Sequence, residues 1–443
     1  MAFLSLTDSD RAEMLAAIGV GSIEELFEQI PQGVRLGREL DLEPALSEAE
    51  LMRHLEELAA RNVHTGAELS FLGAGIYDHY VPAVVDAILS RGEFLTAYTP
   101  YQPEMSQGVL QSIFEYQTAI CELTGMDVSN ASGYDGTTVA ADACFIAKHT
   151  TGRTKVVLAE ALNPQVRRVV KTYAPGFGLE VVEVPHRDGT TDPGEWRTSC
   201  ADAAIAIFQQ PNFFGCLEPA PELAAAAEGA GALAVAHVDL LSLGVLEAPG
   251  AYGCAIAIGE GQSAGTFMSY GGPHFGFLAA RDEFIRRMPG RIVGETTDLK
   301  GERAFCLTLQ TREQHIRREK ATSNITTNQT LLALAGLVYL SWLGPQGLRE
   351  LGETCMALGD YAKERLGAPL AFPEKATFKE IAIRTGRNAG EVIAAARQRG
   401  VHPGYALGRD YEGLDDVLLV AVTEKRTPAE IDRLAEVLAE VTG

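Results

Sequence analysis

The sequence predicts an α/β protein with a large domain built on a mostly parallel sheet and a smaller α+β domain after it. From about residue 80, short apolar runs rich in β-branched residues alternate with helical patterns. This alternation is typical of a parallel sheet with helices on both faces. After residue 320 a long apolar helix that ends at Gly344 and Pro345 is followed by strand, helix, strand and helix. The length of 443 residues suits more than one domain.

Three parts are predicted along the chain: a helical N-terminal arm at 1–80, a large α/β domain at 81–320 and a C-terminal α+β domain at 321–443. In the arm, Thr7, Ser22 and Ser47 each precede a helical pattern and have the residue type of an N-cap. These amphipathic pieces have no core of their own, so we expect them to pack on a larger body.

In the large domain, helices and strands are predicted to alternate along the chain. Helices are predicted at 81–92, 107–125, 137–152 and 164–178, and strands at 154–160, 179–185, 200–212, 231–239, 255–261 and 274–280. In the C-terminal domain, helices are predicted at 327–344, 347–367, 389–400 and 427–443, and strands at 379–385 and 416–424.

Composition excludes several classes of protein. Fifty-nine acidic and 37 basic residues give a formal charge of −22, which disfavours nucleic acid or an anionic membrane as a partner. The seven cysteines are scattered without a C-x-x-C pair, which indicates reduced thiols in a cytoplasmic protein. The N-terminus lacks the pattern of a signal peptide, and no uninterrupted apolar run is long enough to predict a membrane span.

The end of the 231–239 strand carries His237 and Asp239. In fold-type I enzymes that use pyridoxal 5′-phosphate (PLP), an Asp at such a position pairs with the pyridine nitrogen, and a later Lys condenses with the aldehyde. The loop 259–276 is the expected place for this Lys, yet no lysine occurs between Lys171 and Lys300. Arginine does not form imines, so a PLP fold with this sequence lacks its own attachment point. Asp239 as a simple cap of the next turn is the alternative.

Other cofactors and nucleophiles find less support. The glycines at 72–76 and 259–265 lack the G-x-G-x-x-G spacing of a dinucleotide site. The histidines show no metal-ligand spacing, and there is no G-x-S-x-G elbow, so we predict no metal and no serine triad.

The segment 94–108 holds two tyrosines and two prolines within six residues. Prolines stiffen the backbone, so Tyr98 and Tyr101 are expected to point in fixed directions, where phenols bind a carboxylate or phosphate. An aromatic loop packed at a domain interface is the alternative. A basic run, Arg312, Arg317, Arg318 and Lys320, is either a solvated helix face or a contact for an anion or a subunit.

Several long motifs together resemble the glycine decarboxylase P-protein family. They are LGAGIYDHYVP, FLTAYTPYQPEMSQG, AGTFMSYGGPHFGFLA, TREQHIRREKATSNITTNQ and VTEKRTPAEID. The resemblance runs from about residue 65 to the C-terminus. P-proteins occur as one long chain or as two half-length subunits, and a half-length chain without the lysine is similar to subunit 1 (alpha).

The resemblance implies a fold-type I PLP-transferase fold and an α2β2 assembly whose other subunit carries PLP. That complex is glycine dehydrogenase (aminomethyl-transferring, decarboxylating) of the glycine cleavage system. It decarboxylates glycine and passes the aminomethyl group to the lipoyl group of the H-protein. The resemblance implies no catalytic residue in this chain alone, no covalently bound cofactor and no metal.

Carried over by position, the motif residues at 98–104 are expected to contribute to the active site at the subunit contact; the residues are Tyr98, Thr99, Tyr101, Gln102 and Glu104. A second set is expected to be a vestigial cofactor site: Ser132, Gly136, Thr137, His237 and Asp239.

Two other functions remain open at this stage. One is a structural or regulatory paralogue that stabilises the catalytic subunit without touching substrate. The other is a stand-alone PLP enzyme that uses Lys300, which the sequence indicates as the only lysine near enough to consider.

Overall fold

The computed structural model describes residues 6–321, 325 and 328–443. Part of the TREQHIRREKATSNITTNQ motif, at 322–324 and 326–327, lies outside the described residues. The chain divides into two compact units, residues 1–63 and 64–443. The three-part division stays a prediction.

The first unit contains the helices α1 (Asp8–Ile18) and α2 (Glu48–Ala59) and short 3₁₀ turns between them. Thr7 and Ser47 each form a capping box, in which the cap side chain and the N3 carboxylate exchange hydrogen bonds. Ser22 was predicted to cap a helix, but only a 3₁₀ turn, Glu24–Phe27, follows it. Ile23, not Ser22, occupies the N-cap position of that turn. No described residue of 6–63 is buried.

The second unit contains the remaining elements. Its helices are α3 (Ala83–Leu89), α4 (Gly92–Leu95), α5 (Gln107–Thr124), α6 (Thr138–Thr151), α7 (Pro164–Tyr173), α8 (Pro193–Ser199), α9 (Ala220–Gly229), α10 (Gln314–Arg317), α11 (Thr330–Leu366), α12 (Ala389–Arg397) and α13 (Pro428–Thr442). Its strands are β1 (Leu69–Ser70), β2 (Val128–Ser129), β3 (Lys155–Ala159), β4 (Glu180–Val184), β5 (His186–Arg187), β6 (Thr190–Thr191), β7 (Ala203–Gln210), β8 (Leu233–Val238), β9 (Ile256–Glu260), β10 (Gly276–Ala280), β11 (Ile292–Thr297), β12 (Arg303–Thr308), β13 (Glu380–Arg384), β14 (Val401–His402), β15 (Tyr405–Ala406) and β16 (Val417–Ala421).

The large sheet has seven strands in the order β2-β10-β9-β8-β7-β3-β4. The strands β4, β3, β7, β8 and β9 are parallel, and β10 runs antiparallel to β9 and β2. Successive residues of β3 face opposite sides: Val156 and Leu158 pack with α6 and α7, and Val157 and Ala159 with the other core cluster. The mixed, mostly parallel sheet covered on both faces confirms the predicted fold class.

The C-terminal part has a three-stranded antiparallel sheet in the order β13-β16-β15. Its core includes residues of α12 and α13. The helix α11 leads into it and is broken where the sequence predicted, since Gly344 has a non-helical conformation with φ 63° and Pro345 follows. By length and composition alone α11 would qualify as a membrane span. Its residues Ala333, Tyr339 and Leu348 belong instead to the core beside the large sheet.

Candidate functional site

Asp239 directly follows the strand β8, and its two carboxylate oxygens have different partners. Its Oδ1 accepts hydrogen bonds from the Leu241 N–H at 3.0 Å and from the Ser263 hydroxyl at 3.1 Å. Its Oδ2 forms an ion pair with the Lys379 ammonium. Burial alone would raise the pKa of Asp239, but the Lys379 charge and hydrogen bonds hold it below its usual value. Asp239 therefore caps a turn and also holds a buried cation.

His237 lies two residues before Asp239, and both line one cavity. The ring is buried, and neither ring nitrogen has a hydrogen-bond partner among the residues that the structure describes. Burial lowers the pKa of His237 to about 4, so the ring is neutral at pH 7.

The residues Gly136 and Thr137, just before α6, line the same cavity, and two carboxyl groups already accept from backbone N–H groups there. Asp135 Oδ1 accepts from the N–H groups of Thr137 at 3.0 Å and Thr138 at 2.7 Å. Glu260 Oε2, at the end of β9, accepts from the N–H of Gly136 at 2.9 Å. Burial raises the pKa of Glu260 to about 7. In many phosphate sites, N–H groups at such a helix start bind the anion.

The cavity between these elements has a volume of about 90 Å³. Gly136, Thr137, His237 and Asp239 of the predicted vestigial set line it together. Ser132 does not; its hydroxyl accepts a hydrogen bond from the Gln329 N–H at 3.1 Å instead. Small-molecule sites are typically about 300–1,000 Å³. The space left here is far smaller.

Lys379 enters the site from the C-terminal part of the chain. It is 3% exposed, and its Nζ lies 3.1 Å from His79 Nε2 and 3.4 Å from the centre of the Tyr77 ring. Lys300, in contrast, lies exposed in the turn between β11 and β12. The expectation that Lys300 is the only lysine near enough to consider was therefore wrong, because the fold brings β13 to the end of β8.

Further carboxyl groups surround this lysine. Glu380 is buried, with its Oε1 accepting from the Ala74 N–H at 2.7 Å and its Oε2 from the Tyr77 hydroxyl at 2.8 Å. Burial raises the pKa of Glu380 to about 7. The carboxylate of Glu424 lies 2.6 Å from His79 Nδ1. The segment 72–82, which is the LGAGIYDHYVP motif, thus contacts both Lys379 and two carboxyl groups, through Tyr77 and His79.

His79, Cys355 and Glu424 form a cluster whose ligand atoms lie within 4.8 Å of one another. Sequence spacing did not indicate it, because the three residues are far apart in the chain. An ammonium has only donors, so His79 Nε2 accepts from Lys379, and Nδ1 carries the proton given to Glu424. With a cation already beside His79, the charge disfavours a metal ion there.

The tyrosine loop lies elsewhere. Tyr98 is 82% exposed and Tyr101 is 48% exposed, and neither lines the cavity at Asp239. Arg291 donates to the Tyr101 hydroxyl at 3.1 Å, with its guanidinium 5.4 Å from the ring centre. Pro103 begins a 3₁₀ turn that fixes the loop before α5. Thr99 is partly exposed, and Gln102 and Glu104 are exposed.

The predicted basic run divides into two groups. Arg312 donates to backbone carbonyls of Met288, Leu309 and Gly290, which makes it a structural residue. Arg317, Arg318 and Lys320 are exposed.

The sequence interpretation missed Glu260, Lys379 and Glu380, and also the residues around the last two; these are Tyr77, His79 and Glu424. The only signal is two adjacent charges, Lys379 and Glu380, at the start of an apolar strand. The same pattern is common at solvated strand ends, so it did not indicate burial.

Comparison with solved structures defines the class of protein. The chain superposes on glycine decarboxylase (P-protein) of the glycine cleavage system, in inhibitor-bound form, with a TM-score of 0.91, 43% identity and full coverage of both chains. It shares its fold with a sphingosine-1-phosphate lyase of Burkholderia pseudomallei (TM-score 0.66, 16% identity, 93% and 94% coverage). A glutamate decarboxylase of Lactobacillus brevis is similar in the same way (TM-score 0.67, 11% identity, 92% and 95% coverage). The fold is that of fold-type I PLP-dependent enzymes.

Sequence comparison gives the family. Residues 1–438 match the model of the glycine cleavage system P-protein. A probable glycine dehydrogenase (decarboxylating) subunit 1 of Moorella thermoacetica is 49% identical over 98% of each chain, and one of Carboxydothermus hydrogenoformans is 50% identical over 99% of each. The chain belongs to the glycine cleavage system P-protein family, as a subunit 1 of glycine dehydrogenase (decarboxylating). The resemblance found in the motifs is confirmed, and subunit 1 implies a partner subunit.

Proposed function

We propose that this chain is the cofactor-free subunit of a two-subunit P-protein. Its partner, subunit 2 (beta), carries PLP on a lysine, and the two form an α2β2 heterotetramer in the cytoplasm. The complex decarboxylates glycine and transfers the aminomethyl group to the lipoyl group of the H-protein. Nothing in the proposal involves nucleic acid or a membrane surface.

The observation that carries this proposal is the absence of an attachment lysine where the fold needs one. The loop 259–276 follows β9 and contains no lysine, and Ser263 in it donates to Asp239. The lysine that does reach Asp239 is held in an ion pair and approaches from β13. An amine must be neutral and free to condense with an aldehyde, so this arrangement supports cofactor attachment on the partner.

The tyrosine loop is the part that we assign to the partner's active site. Tyr98 and Tyr101 present phenol groups outward on a loop stiffened by Pro100 and Pro103. Arg291 holds Tyr101 by a hydrogen bond and by its position over the ring. A rigid loop given by a second subunit can close a pocket against water without moving the partner's own catalytic residues.

The test uses the reconstituted complex and the exchange of CO₂ with the carboxyl group of glycine. Tyr98→Phe and Tyr101→Phe each remove one hydroxyl. If the hydroxyl binds substrate or cofactor, exchange should fall about tenfold, which corresponds to ~1.4 kcal/mol and is typical of one lost hydrogen bond. Tyr173→Phe, at the end of α7 and 41% exposed, serves as the control.

The structural paralogue is the second candidate, and the small cavity at Asp239 is the observation in its favour. If both tyrosine variants assemble with the partner and exchange CO₂ at the rate of the control, the active-site role of the loop is wrong. The chain would then support the partner by shape alone. Co-purification of a PLP-containing partner tests the assembly itself.

A further inference from the structure

The cavity at Asp239 holds charges of this chain at the places where the fold would otherwise hold parts of a cofactor. In a PLP enzyme of this fold, the strand-end Asp faces the ring nitrogen. Here Asp239 Oδ2 faces the ammonium of Lys379. A second binding region would be the N–H groups at the start of α6, which suit a phosphate. Here they donate to Asp135 and Glu260.

We propose that Lys379 and Glu260 occupy the positions of the cofactor's ring nitrogen and phosphate, and so close the site to PLP and to phosphate esters even without covalent attachment. The ammonium of Lys379 takes the place of the ring cation. The Glu260 carboxyl group, which accepts from the Gly136 N–H, takes the place of the phosphate. This inference deepens the proposed function, on which it rests for the role of the partner.

Besides filling space, the charged groups of this site also oppose the binding of a cofactor. A phosphate ester that approached Gly136 would meet the Glu260 carboxyl 2.9 Å from that N–H group and the Asp135 carboxylate beside it. The charge that these groups carry repels a phosphate at such distances. A cationic ring that approached Asp239 would have to displace a buried ammonium first. The remaining volume of about 90 Å³ leaves no room for both.

Lys379 is also held in an unusual backbone conformation. Its φ is 46°, in the left-handed region that a long side chain seldom occupies. Its side chain is enclosed by the Tyr77 ring, His79 and Asp239, which come from other parts of the chain. A strained residue fixed by so many partners is typical of a functional position. In this site Lys379 supplies the positive charge that the ring nitrogen of PLP would otherwise bring to Asp239.

The first experiment measures ligand binding to the purified full chain. The probe is pyridoxamine 5′-phosphate, which carries the ring and phosphate but has no aldehyde to react with surface lysines. We expect no saturable binding to the wild type by calorimetry. The variant Lys379→Ala/Glu260→Ala frees both Asp239 and the Gly136 N–H, and it should bind the probe saturably, with a Kd at least about tenfold below the highest probe concentration at which the wild type shows no binding. Lys375→Ala, whose lysine donates to Thr190 outside the cavity, is the control.

Saturable binding of the probe to the wild type would overturn the inference. So would a folded Lys379→Ala/Glu260→Ala variant that binds no better than the Lys375→Ala control. A loss of CO₂ exchange in the complex bears only on the proposed function, because this binding measurement needs no partner and no turnover.

A second experiment covers the case in which the open variant does not fold. Lys379→Met leaves Asp239 buried without its cation and should lower the midpoint of thermal unfolding well below that of Lys375→Ala. Lys379→Met/Asp239→Asn removes both charges and should recover much of the loss. If Lys379→Met unfolds at the same temperature as the control, the lysine does not hold the site and the inference fails.

Discussion

Tyr77 contacts two groups of different charge: an ammonium lies over its ring, and its hydroxyl donates to a carboxyl group. Lys379 Nζ lies 3.4 Å from the ring centre, and the hydroxyl donates to Glu380 Oε2 at 2.8 Å. Tyr77→Phe keeps the aromatic face for the ammonium but removes the donor to a buried carboxyl group. We expect a loss of about 1–3 kcal/mol in the free energy of unfolding, measured by denaturant titration of the full chain.

Tyr361→Phe is the matched control for this prediction. The Tyr361 hydroxyl donates to Asp432 at 2.9 Å on the surface of α11 and α13, where water can replace it. Its loss should cost less than about 1 kcal/mol. Equal losses in the two variants would show that burial of Glu380 does not matter to the bond.

At the scale of single residues, the sequence predicts the site residues at the end of β8 but not Lys379. Asp239 and His237 could be predicted because a strand end is a local pattern, and the fold places both at the cavity. Lys379 could not be predicted, because it is distant from its partner Asp239 in the sequence and only the tertiary fold brings the two together. Ser132 was expected at the same cavity from a motif, yet its hydroxyl bonds Gln329 at the start of α11.

Among the elements, the turn after β7 shows how closely the large sheet and β13 approach. Gly215 has φ +78°, and a Cβ there would lie 2.2 Å from the carbonyl oxygen of Glu380. Its own carbonyl accepts from the Phe378 N–H at 3.0 Å. Gly215→Ala adds the cost of the left-handed backbone to a clash with backbone that cannot rotate away. We expect a loss of more than about 3 kcal/mol in the free energy of unfolding.

Gly152→Ala separates the two causes. Gly152 ends α6 with φ +70°, and nothing lies within 4 Å of a Cβ built there. Only the backbone term remains, so the loss should be about 1–2 kcal/mol. The prediction is contradicted if Gly215→Ala unfolds at the same denaturant concentration as Gly152→Ala.

The elements themselves were largely predictable because their apolar patterns are local. Parallel strands such as β7 and β8 are continuous apolar runs, and α11 breaks where Gly344 and Pro345 stand together. The hairpin β11–β12 was not predicted. Its strands mix buried Val293 and Phe305 with exposed Glu295 and Thr296, so the two-residue period is interrupted.

Over the whole molecule, acidity is not confined to the surface. A net charge of −22 indicates a solvated acidic exterior, yet Glu260 and Glu380 are carboxyl groups inside the fold, each with its pKa raised to about 7 by burial. Composition gives the excess of acid but not its location. Three distant segments, around Tyr77, Asp239 and Lys379, meet at Glu380. We therefore expect the pH dependence of stability to report on the site.

Glu380→Gln tests this expectation. In the wild type, burial raises the pKa of Glu380 from its usual 4.5 to about 7, against the opposing effects of the Ala74 and Tyr77 hydrogen bonds and the Lys379 charge. Between these pH values the folded state binds more protons than the unfolded state. Stability from this group is therefore present at low pH and is lost as pH rises through about 7. Glutamine keeps an acceptor for Ala74 and a polar group for Tyr77 but cannot titrate.

From about pH 5 to about pH 8, the wild type should thus lose about 1–3 kcal/mol of unfolding free energy relative to Glu380→Gln, since each pKa unit is worth about 1.4 kcal/mol. His237→Gln gives the opposite sign. The pKa of His237 is about 4 in the folded state, below its usual 6.5, so the wild type's advantage over that variant should shrink as pH falls. Denaturant titrations across this range measure both differences. Parallel curves for wild type and Glu380→Gln would contradict the prediction. They would mean that the pKa of Glu380 is the same in the folded and the unfolded state.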